Sequence, residues 1–392
     1  MSRASSQPAF ALKHPPVPLP PEAAGAPSPF PEIEVAIDRE RRRGRGAQSN
    51  TSGRYEAEAR VVFDDGWQSL EDLPPFKTTV AVDTARKVIT RNDSPDIGFD
   101  RSINPYRGCE HGCVYCFARP THAYLGLSPG LDFESKLYAK PDAPDLLQKE
   151  LAAAGYEPRM IAIGTNTDPY QPIERDWQVM RGILRVLSDF AHPVSIVTKS
   201  ALVLRDIDIL AGMAARRLAH VAISVTTLDP GLARTMEPRA STPARRLAAI
   251  RALSEAGIPT AVMTAPMIPG LNDHEMESIL EAAKAHGAGS AGYVTLRMPH
   301  EIKDLFAEWL ETHYPLKAKR VLSLVREIRD GKLNSTEWGE RMRGSGPYAE
   351  LLAQRFRQAV KRLGFDQARG HGGLDCTQFR PPPKPGDQLR LF

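Results

Sequence analysis

The chain of 392 residues contains only four cysteines, far too few for the disulfide framework of a small secreted protein. It has no apolar run approaching the roughly 20 residues that a helix needs to cross a bilayer. Its first residues lack the apolar segment of a secretory signal, so we expect a cytoplasmic protein without a membrane contact. The formal net charge of +4 is only a weak indication of an anionic partner. With 42% hydrophobic residues, the composition fits one large globular domain with appendages, or two domains.

Three of the four cysteines, Cys109, Cys113 and Cys116, lie close together in the sequence. Three thiolates without a nearby fourth ligand hold a soft metal centre and leave one coordination position open. An open position is what a catalytic centre needs and what a purely structural site lacks. The pattern, with Tyr115 directly before the last cysteine, therefore predicts a catalytic metal centre.

A zinc site is the alternative explanation of the three cysteines, with His111 or the remote Cys376 as fourth ligand. Structural zinc sites usually combine two closely spaced pairs of ligands that are separated by a dozen or more residues. The sequence contains no second pair, and His111 is too close in sequence to complete a tetrahedron easily. The spacing thus disfavours zinc.

Composition divides the chain into four parts. The first is rich in proline and arginine, and the second contains short strand-like segments at residues 59–63 and 79–82 that flank the core. The third alternates between strand-like and helical patterns, and the fourth is helical with a polar, proline-rich end. In chain order, the predicted parts are residues 1–55, 56–100, 101–315 and 316–392.

The first part is predicted to be a disordered tail, because it has few aromatic or branched residues to bury. It contains an arginine run from Arg39 to Arg45. Such a run is either a solvated segment or a contact for nucleic acid or an acidic partner. Both interpretations stay open at this point.

Strand-like and helical segments alternate through the third part. One helix is predicted to begin after Thr242 with Pro243 at its first position. Another is predicted after Asn272, with Glu275 as its partner in a capping box. Short branched apolar runs predict buried strands between the helices. These predicted strands are residues 160–163, 194–197, 221–225, 261–263 and 293–296.

Repeated strand–helix–strand units produce parallel strands with right-handed crossovers. With a first strand just before Cys109, about six units span roughly 210 residues, whereas a complete eight-unit barrel needs about 250. The sequence therefore predicts an α/β fold with a partial (β/α)6 barrel of the TIM type. Functional groups of such folds collect at the carboxyl ends of the strands.

Polar side chains follow the predicted strands at that edge. Each has a structural alternative: Asp168 suits an Asx turn before a helix, Lys199 a surface position, and Ser224 a packed strand hydroxyl. The candidate site residues after the second, third and fourth strands are Thr165, Asn166, Thr167, Asp168, Lys199, Ser224, Thr226 and Arg239.

The sequence resembles the radical S-adenosylmethionine (SAM) superfamily, and within it the spore photoproduct lyase-like branch. The resemblance extends over roughly residues 100 to 310. The motifs that carry it are the cysteine loop, Asn104-Pro105-Tyr106-Arg107-Gly108-Cys109, the Thr-Asp-Pro-Tyr-Gln-Pro turn at residues 167–172, Thr198-Lys199-Ser200 and Glu237-Pro238-Arg239.

The resemblance implies the cofactors. Cys109, Cys113 and Cys116 would hold three irons of a [4Fe–4S] cluster, and SAM would chelate the fourth iron. Electrons would come from a donor such as flavodoxin or ferredoxin, and a 5′-deoxyadenosyl radical would abstract hydrogen from the substrate. The implied SAM contacts are Tyr115, Thr165, Asn166, Thr167, Asp168, Lys199, Ser224, Thr226 and Arg239, with Asp168 on the amino group, Lys199 and Ser224 on the carboxylate and ribose, and Arg239 as a two-pronged carboxylate clamp.

The branch also implies an unidentified substrate derived from nucleic acid. Photoproduct lyases carry a hydrogen-donating cysteine near the end of the second strand, and none occurs between Gly164 and Asp168, which argues against thymine-dimer cleavage. Cys376 is then a replacement donor or a bystander thiol. Two other hypotheses remain: a radical SAM enzyme that modifies a protein or peptide, and a non-catalytic metal-binding adaptor that docks nucleic acid through the arginine-rich tail.

Overall fold

The computed structural model describes residue 37 and residues 40–56, 75–366 and 373–383. The strand predicted at residues 59–63 lies outside this part of the chain. Ten strands occur in the described residues: β1 (Thr79–Val82), β2 (Thr90–Arg91), β3 (Arg101–Ile103), β4 (Tyr106–Arg107), β5 (Lys136–Ala139), β6 (Ile161–Ile163), β7 (Val194–Thr198), β8 (Ala219–Ser224), β9 (Thr260–Met267) and β10 (Ser290–Thr295).

The larger of two sheets contains seven strands in the order β10-β9-β8-β7-β6-β3-β2. All neighbours from β3 to β10 pair in parallel, and only the short edge strand β2 is antiparallel. Six parallel strands with helical crossovers confirm the predicted partial (β/α)6 barrel. The five strands predicted from branched apolar runs are confirmed as β6 to β10.

The first barrel strand differs from the prediction. β3 ends at Ile103 instead of directly before Cys109, and β4 follows it. β4 leaves the barrel and pairs antiparallel with β5, which also pairs with the predicted strand β1 in a three-stranded sheet. The cysteine loop is therefore connected to a second, smaller sheet beside the barrel.

Helices cover the sheet, and none in the described residues has both the length and the apolar character needed to span a bilayer. Short 3-10 helices lie at Arg119–Leu125, Ala201–Asp206 and Asp273–Glu275. The α-helices of the described residues are α1 (Leu131–Ser135), α2 (Ala143–Leu151), α3 (Glu174–Trp177), α4 (Val179–Asp189), α5 (Ile207–Ala215), α6 (Pro230–Met236), α7 (Pro243–Glu255), α8 (Met276–Ala285), α9 (Ile302–His313), α10 (Pro315–Glu327), α11 (Glu340–Arg343) and α12 (Gly346–Arg362).

The start of α7 is confirmed as predicted, but the start of α8 is not. Thr242 caps α7 by accepting the Arg245 N–H at 3.4 Å. Asn272 and Glu275 do not form a capping box. The Asn272 side chain bonds the Ile268 N–H and the Thr226 carbonyl, and Glu275 bonds the loop after β8. Buried tertiary partners thus replace the local cap that the spacing predicted.

An apolar cluster separate from the main core lies at the carboxyl edge of the barrel. There Val114 and Tyr115 of the cysteine loop pack with Phe306 and Trp309 of α9 and with apolar residues of α10. The helical character predicted for residues beyond 316 is confirmed by α10 and α12, whereas α9 was not predicted. The carboxy-terminal helices therefore cover the part of the cysteine loop around Val114 and Tyr115.

Residues 40–56 pack against the body of the protein. Arg45 donates to the Glu134 carbonyl at 2.5 Å, and the Glu134 carboxylate accepts the N–H groups of Gly46 and Ala47 at 2.9 and 2.8 Å. The disorder predicted up to residue 55 is corrected for this stretch, because a distant carboxylate supplies partners that composition does not reveal. The remainder of the predicted tail, residues 1–36 and 38–39, lies outside the described part.

Gly164, directly after β6, offers a test of the strand geometry. Its φ is 91°, and a Cβ would lie 2.0 Å from the Val197 carbonyl oxygen on β7. We expect Gly164→Ala to lower the free energy of unfolding by about 2 kcal/mol or more, because left-handed strain and a backbone clash combine. Denaturant titration measures this loss.

Gly212→Ala on α5 is the matched control, since a Cβ there meets no atom within 4 Å. We expect this change to be neutral or to stabilise the protein by up to about 1 kcal/mol. Equal losses in the two variants would contradict the geometry at Gly164.

Candidate functional site

The three clustered cysteines lie on a tight loop at the carboxyl edge of the parallel strands. Cys109 and Cys113 are buried, and Cys116 is half-buried. The Gly112 N–H donates to the Cys109 carbonyl at 3.3 Å, and the Cys116 N–H donates to the Cys113 carbonyl at 3.2 Å. The sequence therefore brings all three thiols onto one compact turn, as their spacing predicted.

A buried ion pair holds this loop from behind. Arg119 donates to the carbonyls of Cys113 and Gly112 at 2.9 and 3.2 Å and to the Glu134 carboxylate at 2.5 Å. Both charged side chains are fully buried. A Cβ on Gly112 would lie 2.7 Å from a Glu134 oxygen, so only glycine fits between the pair and the loop. The backbone of the loop is thus fixed independently of its cysteines.

A buried amide connects the loop to the next barrel strand. Gln171 accepts the Glu110 N–H at 2.8 Å and donates to the Gly108 carbonyl at 3.1 Å. Because Gln171 belongs to the loop after β6, these two hydrogen bonds join the first and second strand-end loops.

The environment of the thiols bears on what they would bind. Burial, followed by the negative charge of Asp168, raises the pKa of Cys109, and burial and Glu237 raise that of Cys113. Burial also raises the pKa of Cys116. Bare thiolates are therefore disfavoured here, and a positively charged metal centre would offset that cost. A buried set of three soft donors fits an iron–sulfur cluster.

A zinc ion fits the same residues poorly. A structural zinc site would need a fourth protein ligand to complete its tetrahedron. His111, the suggested fourth zinc ligand, instead lies with Nδ1 at 3.4 Å from the Asp168 carboxylate.

Asp168 joins three parts of the site. Its carboxylate accepts the Thr198 hydroxyl at 2.7 Å and the Lys199 N–H at 2.7 Å, besides its contact with His111. Burial alone would raise the pKa of Asp168, but these partners outweigh it and lower the pKa to about 2. Asp168 thus stays ionised and ties the loops after β6 and β7 to the cysteine loop.

The residues before Asp168 lie on the same strand-end loop. Asn104 accepts the N–H groups of Asn166 and Thr167 at 3.1 and 3.4 Å, and the Thr167 hydroxyl donates to the Tyr106 carbonyl at 3.0 Å. Thr167 is buried, whereas Thr165 and Asn166 are half-buried. The loop is therefore fixed by its backbone, and two of its side chains reach the surface of the site.

Glu237 brings several predicted residues together, although the sequence suggested no role for it. Its fully buried carboxylate accepts the hydroxyls of Tyr115 and Thr226 and pairs with Arg246. Lys199 Nζ lies 4.0 Å from the same carboxylate and 5.7 Å from the centroid of the Tyr115 ring. Burial would raise the pKa of Glu237, but Arg246 and Lys199 lower it to about 2.

Ser224 and Arg239 occupy different surroundings at the same edge. Ser224 is buried at the end of β8, and its carbonyl accepts from Arg246 at 3.1 Å. Arg239 is partly exposed and lies 3.1 Å from the Glu110 carboxylate, while its N–H donates to the His111 carbonyl. Arg239 is therefore brought to the cysteine loop, paired with a residue of that loop.

Cys376 lies at the opposite edge of the barrel. The N–H of its neighbour Asp375 donates to the Arg217 carbonyl at 2.9 Å, and Gln378 donates to the Arg216 carbonyl at 2.7 Å. Both arginines precede β8 at its amino end. The hypothesis of Cys376 as a replacement hydrogen donor, or as a zinc ligand, is therefore corrected, because these contacts hold its segment away from the site.

Sequence reasoning missed the charged residues that organise the site. Glu237 stood in the quoted Glu-Pro-Arg motif, but a motif does not tell which of two charged residues is buried. Arg119, Glu134 and Arg246 gave no signal, since their partners are remote in sequence or lie on other elements. The only sequence signal for these residues was the high number of charged side chains in short helices near the ends of strands.

The chain is similar in sequence to a known family and to proteins of other organisms. The family model described as the Radical SAM superfamily matches residues 103–283. An uncharacterized protein of Mycobacterium bovis is 37% identical over 230 residues, which cover 58% of this chain and 68% of that protein. An uncharacterized protein of Methanocaldococcus jannaschii is 29% identical over 231 residues, or 59% of this chain and 82% of that protein.

Solved structures show a shared fold. Spore photoproduct lyase complexed with dinucleoside spore photoproduct superposes with a TM-score of 0.52 and 18% identity, over 72% of this chain and 78% of that chain. A point mutant of spore photoproduct lyase gives a TM-score of 0.51 at 18% identity over the same shares.

The buried Glu237 carboxylate gives a pH-dependent prediction. Because its pKa is lowered from 4.5 to about 2, its contribution to stability is complete above pH 4.5 and is lost as the pH falls toward 2. We expect Glu237→Gln to lower the free energy of unfolding at pH 7 by about 3–5 kcal/mol, because Arg246 keeps an uncompensated buried charge. Its stability should also depend less on pH between 4.5 and 2.

Denaturant titrations at stepped pH values measure both effects. Glu255→Gln, at an exposed position on α7, is the control and should resemble the unaltered protein. If Glu237→Gln lost stability with falling pH as steeply as the unaltered protein, the ionised state of Glu237 would be refuted.

Proposed function

The chain belongs to the radical SAM superfamily, and we propose that Cys109, Cys113 and Cys116 bind a [4Fe–4S] cluster at which SAM is cleaved. It is an enzyme of the radical SAM class. The observation that carries the proposal is the buried turn with three thiols at the carboxyl edge of six parallel strands. Parallel barrels form their active sites at that edge.

The three cysteines would leave one iron of a four-iron cluster without a side-chain ligand from the cysteine loop. Cys376, the remaining cysteine, is held near the amino end of β8, away from the loop. A cluster held by Cys109, Cys113 and Cys116 would leave one iron for SAM and would supply the electron for the reductive cleavage of SAM.

Lys199 is proposed to bind the carboxylate of SAM. Its ammonium lies between Glu237 and the Tyr115 ring, and 16% of its side chain is exposed. Because Arg246 already neutralises Glu237, Lys199 keeps a positive charge to offer to an anion. Tyr115 and Thr226, which share the Glu237 carboxylate, hold this arrangement in place.

The amino group of SAM is assigned to the loop after β6. The half-buried Thr165 and Asn166 supply acceptors, and the ionised Asp168 fixes the loop and adds negative charge. Ser224 remains our proposal for the ribose and Arg239 for a carboxylate clamp. The carboxy-terminal helices α9 and α10 cover the loop around Val114 and Tyr115 and would limit the access of water to a reactive radical.

The substrate is proposed to derive from nucleic acid. The solved lyase of the same fold binds a dinucleoside spore photoproduct, and this supports the substrate class without extending to its reaction. A flavodoxin or ferredoxin is proposed as electron donor. A protein or peptide substrate is the alternative, and it would use the same cofactor site.

The non-catalytic adaptor is the weaker proposal. Arg45 donates hydrogen bonds to Phe76 and Thr78, and Arg41 stacks over the Phe76 ring at 5.3 Å. These two arginines stabilise the protein itself, whereas Arg43 is exposed. The zinc centre that the adaptor requires would also need a fourth ligand, and His111 lies at Asp168 instead.

Replacing the cysteines tests the cluster. We expect Cys109→Ala, Cys113→Ala and Cys116→Ala each to reduce 5′-deoxyadenosine formation to background, because each removes one iron ligand. The measurement is dithionite-driven SAM cleavage after anaerobic reconstitution, with iron, sulfide and visible absorption determined in parallel. Cys376→Ala is the matched control and should cleave SAM like the unaltered protein. Retained cleavage in Cys113→Ala would overturn the ligand assignment.

Replacing Lys199 tests the SAM contact separately. We expect Lys199→Met to weaken SAM binding about tenfold or more, because a charge-assisted hydrogen bond is lost. Equilibrium dialysis of labelled SAM against reconstituted protein of matched iron content measures the affinity. Lys319→Met, at an exposed position on α10, should bind SAM normally. Unchanged affinity in Lys199→Met would remove Lys199 from the site.

A further inference from the structure

Arginines gather beside the cysteine loop where β10 ends. Arg297 follows β10, and Arg329 and Arg341 come from the α10–α11 region, where their charges act on Arg297 or are acted on by it. We refer to these three residues as the arginine cluster. No step of the cofactor chemistry described above uses it.

Arg297 lies against the cysteine loop itself. Its guanidinium is 5.2 Å from the centroid of the Phe117 ring, and Phe117 directly follows Cys116. The Phe117 ring is 45% exposed, so one aromatic surface next to the last cysteine remains accessible. A ligand that reached Arg297 would therefore sit at the cysteine loop.

The donors of Arg297 are poorly satisfied. Its Nε is buried without a hydrogen-bond partner, and Nη1 has only the Met342 sulfur at 3.6 Å, a weak acceptor. Asp96 is the acid whose charge acts on Arg297, and its carboxylate pairs with Arg341 instead. A half-buried guanidinium with unmet donors is costly in the absence of an anion.

The nearby acids Asp96 and Glu340 offset only part of the positive charge of the arginine cluster. Asp96 is committed to Arg341 at 2.5 Å and to the Gly339 N–H at 2.6 Å. Arg329 is fully buried and donates to neutral oxygens of Thr295 and Leu296 at 2.8 and 2.9 Å. Burial and the charge of Arg297 lower the pKa of Arg329 to about 10, as expected where positive charges repel one another.

We propose that Arg297 binds a phosphate group of the substrate beside the cysteine loop. This inference rests on the proposed function, since it assigns a substrate subsite to the same active site. A guanidinium presents a planar fork of donors that matches phosphate oxygens, and the positive charge that Asp96 and Glu340 leave in the arginine cluster favours an anion.

The surrounding aromatics narrow the ligand further. Arg297 stacks on Phe117, and Arg341 stacks on Trp338 at 4.0 Å, with Trp338 56% exposed. Arginine–aromatic pairs of this kind offer stacking surfaces for planar bases next to phosphate contacts. The phosphate is therefore that of a nucleotide, either a free monoester or a diester within a strand.

Calorimetric titration of the anaerobically reconstituted protein tests the subsite. The probes are uridine, uridine 5′-monophosphate, the dinucleotide UpU and a uridine 5′-carboxylate. We expect at least one phosphate probe to bind about tenfold or more tightly than uridine and the carboxylate. Tighter binding of UpU identifies a strand as the source, and tighter binding of the monophosphate identifies a free nucleotide.

Variants assign the effect to Arg297. Arg297→Gln should abolish the advantage of phosphate, Arg297→Lys should retain part of it, and Arg251→Gln, at an exposed position on α7, should leave it intact. Thermal unfolding and iron content verify that each variant is folded and loaded. Because Arg297→Lys keeps the charge, the test stands even if the glutamine variant does not fold.

Three results would overturn the subsite: no advantage of either phosphate probe over uridine, equal binding of the carboxylate, or equal losses in Arg251→Gln and Arg297→Gln. SAM cleavage by the same preparation separates this inference from the proposed function. Cleavage without phosphate binding refutes the subsite alone. Phosphate binding that depends on Arg297, in a protein that forms no cluster, refutes the proposed function alone.

Discussion

The buried ion pair between Arg119 and Glu134 is the interaction on which the rest of the site depends. It fixes the carbonyl groups of the cysteine loop, and the Glu134 carboxylate also holds residues 46 and 47 over that loop. Two buried charges are costly unless all their hydrogen bonds are satisfied. Here the carbonyls of the cysteine loop and of residues 129 and 130 satisfy Arg119, and the N–H groups of residues 46 and 47 satisfy Glu134. These protein contacts shape the loop that carries the three thiols on one turn.

A second buried carboxylate, Glu237, links this loop to the barrel. Through Tyr115 it contacts the cysteine loop, through Thr226 the end of β8, and through Arg246 the start of α7. Lys199, at the end of β7, lies 4.0 Å from the same carboxylate. Strand ends that are remote in sequence are thus coupled electrostatically, and the positive charge left over faces the region where an anionic cofactor group would bind.

The barrel and the cysteine loop could be predicted from the sequence because their signals are local. Branched apolar runs indicated β6 to β10, and the cysteine spacing indicated a tight loop that carries three thiols. The structure corrected what depends on tertiary partners. Asn272 and Glu275 suggested a capping box but bond neighbouring loops, and Arg45 suggested a solvated tail but is buried. Whether a charged side chain is buried depends on partners from distant parts of the chain. A local sequence pattern does not identify those partners.

The account depends most on an iron that the protein leaves open for SAM. Electron paramagnetic resonance of the reduced, anaerobically reconstituted protein, recorded with and without SAM, addresses this directly. We expect the spectrum of a [4Fe–4S] cluster whose signal changes when SAM is added, because SAM binds the iron without a cysteine ligand. A cluster signal that SAM leaves unchanged, or a protein that takes up only zinc, would contradict it.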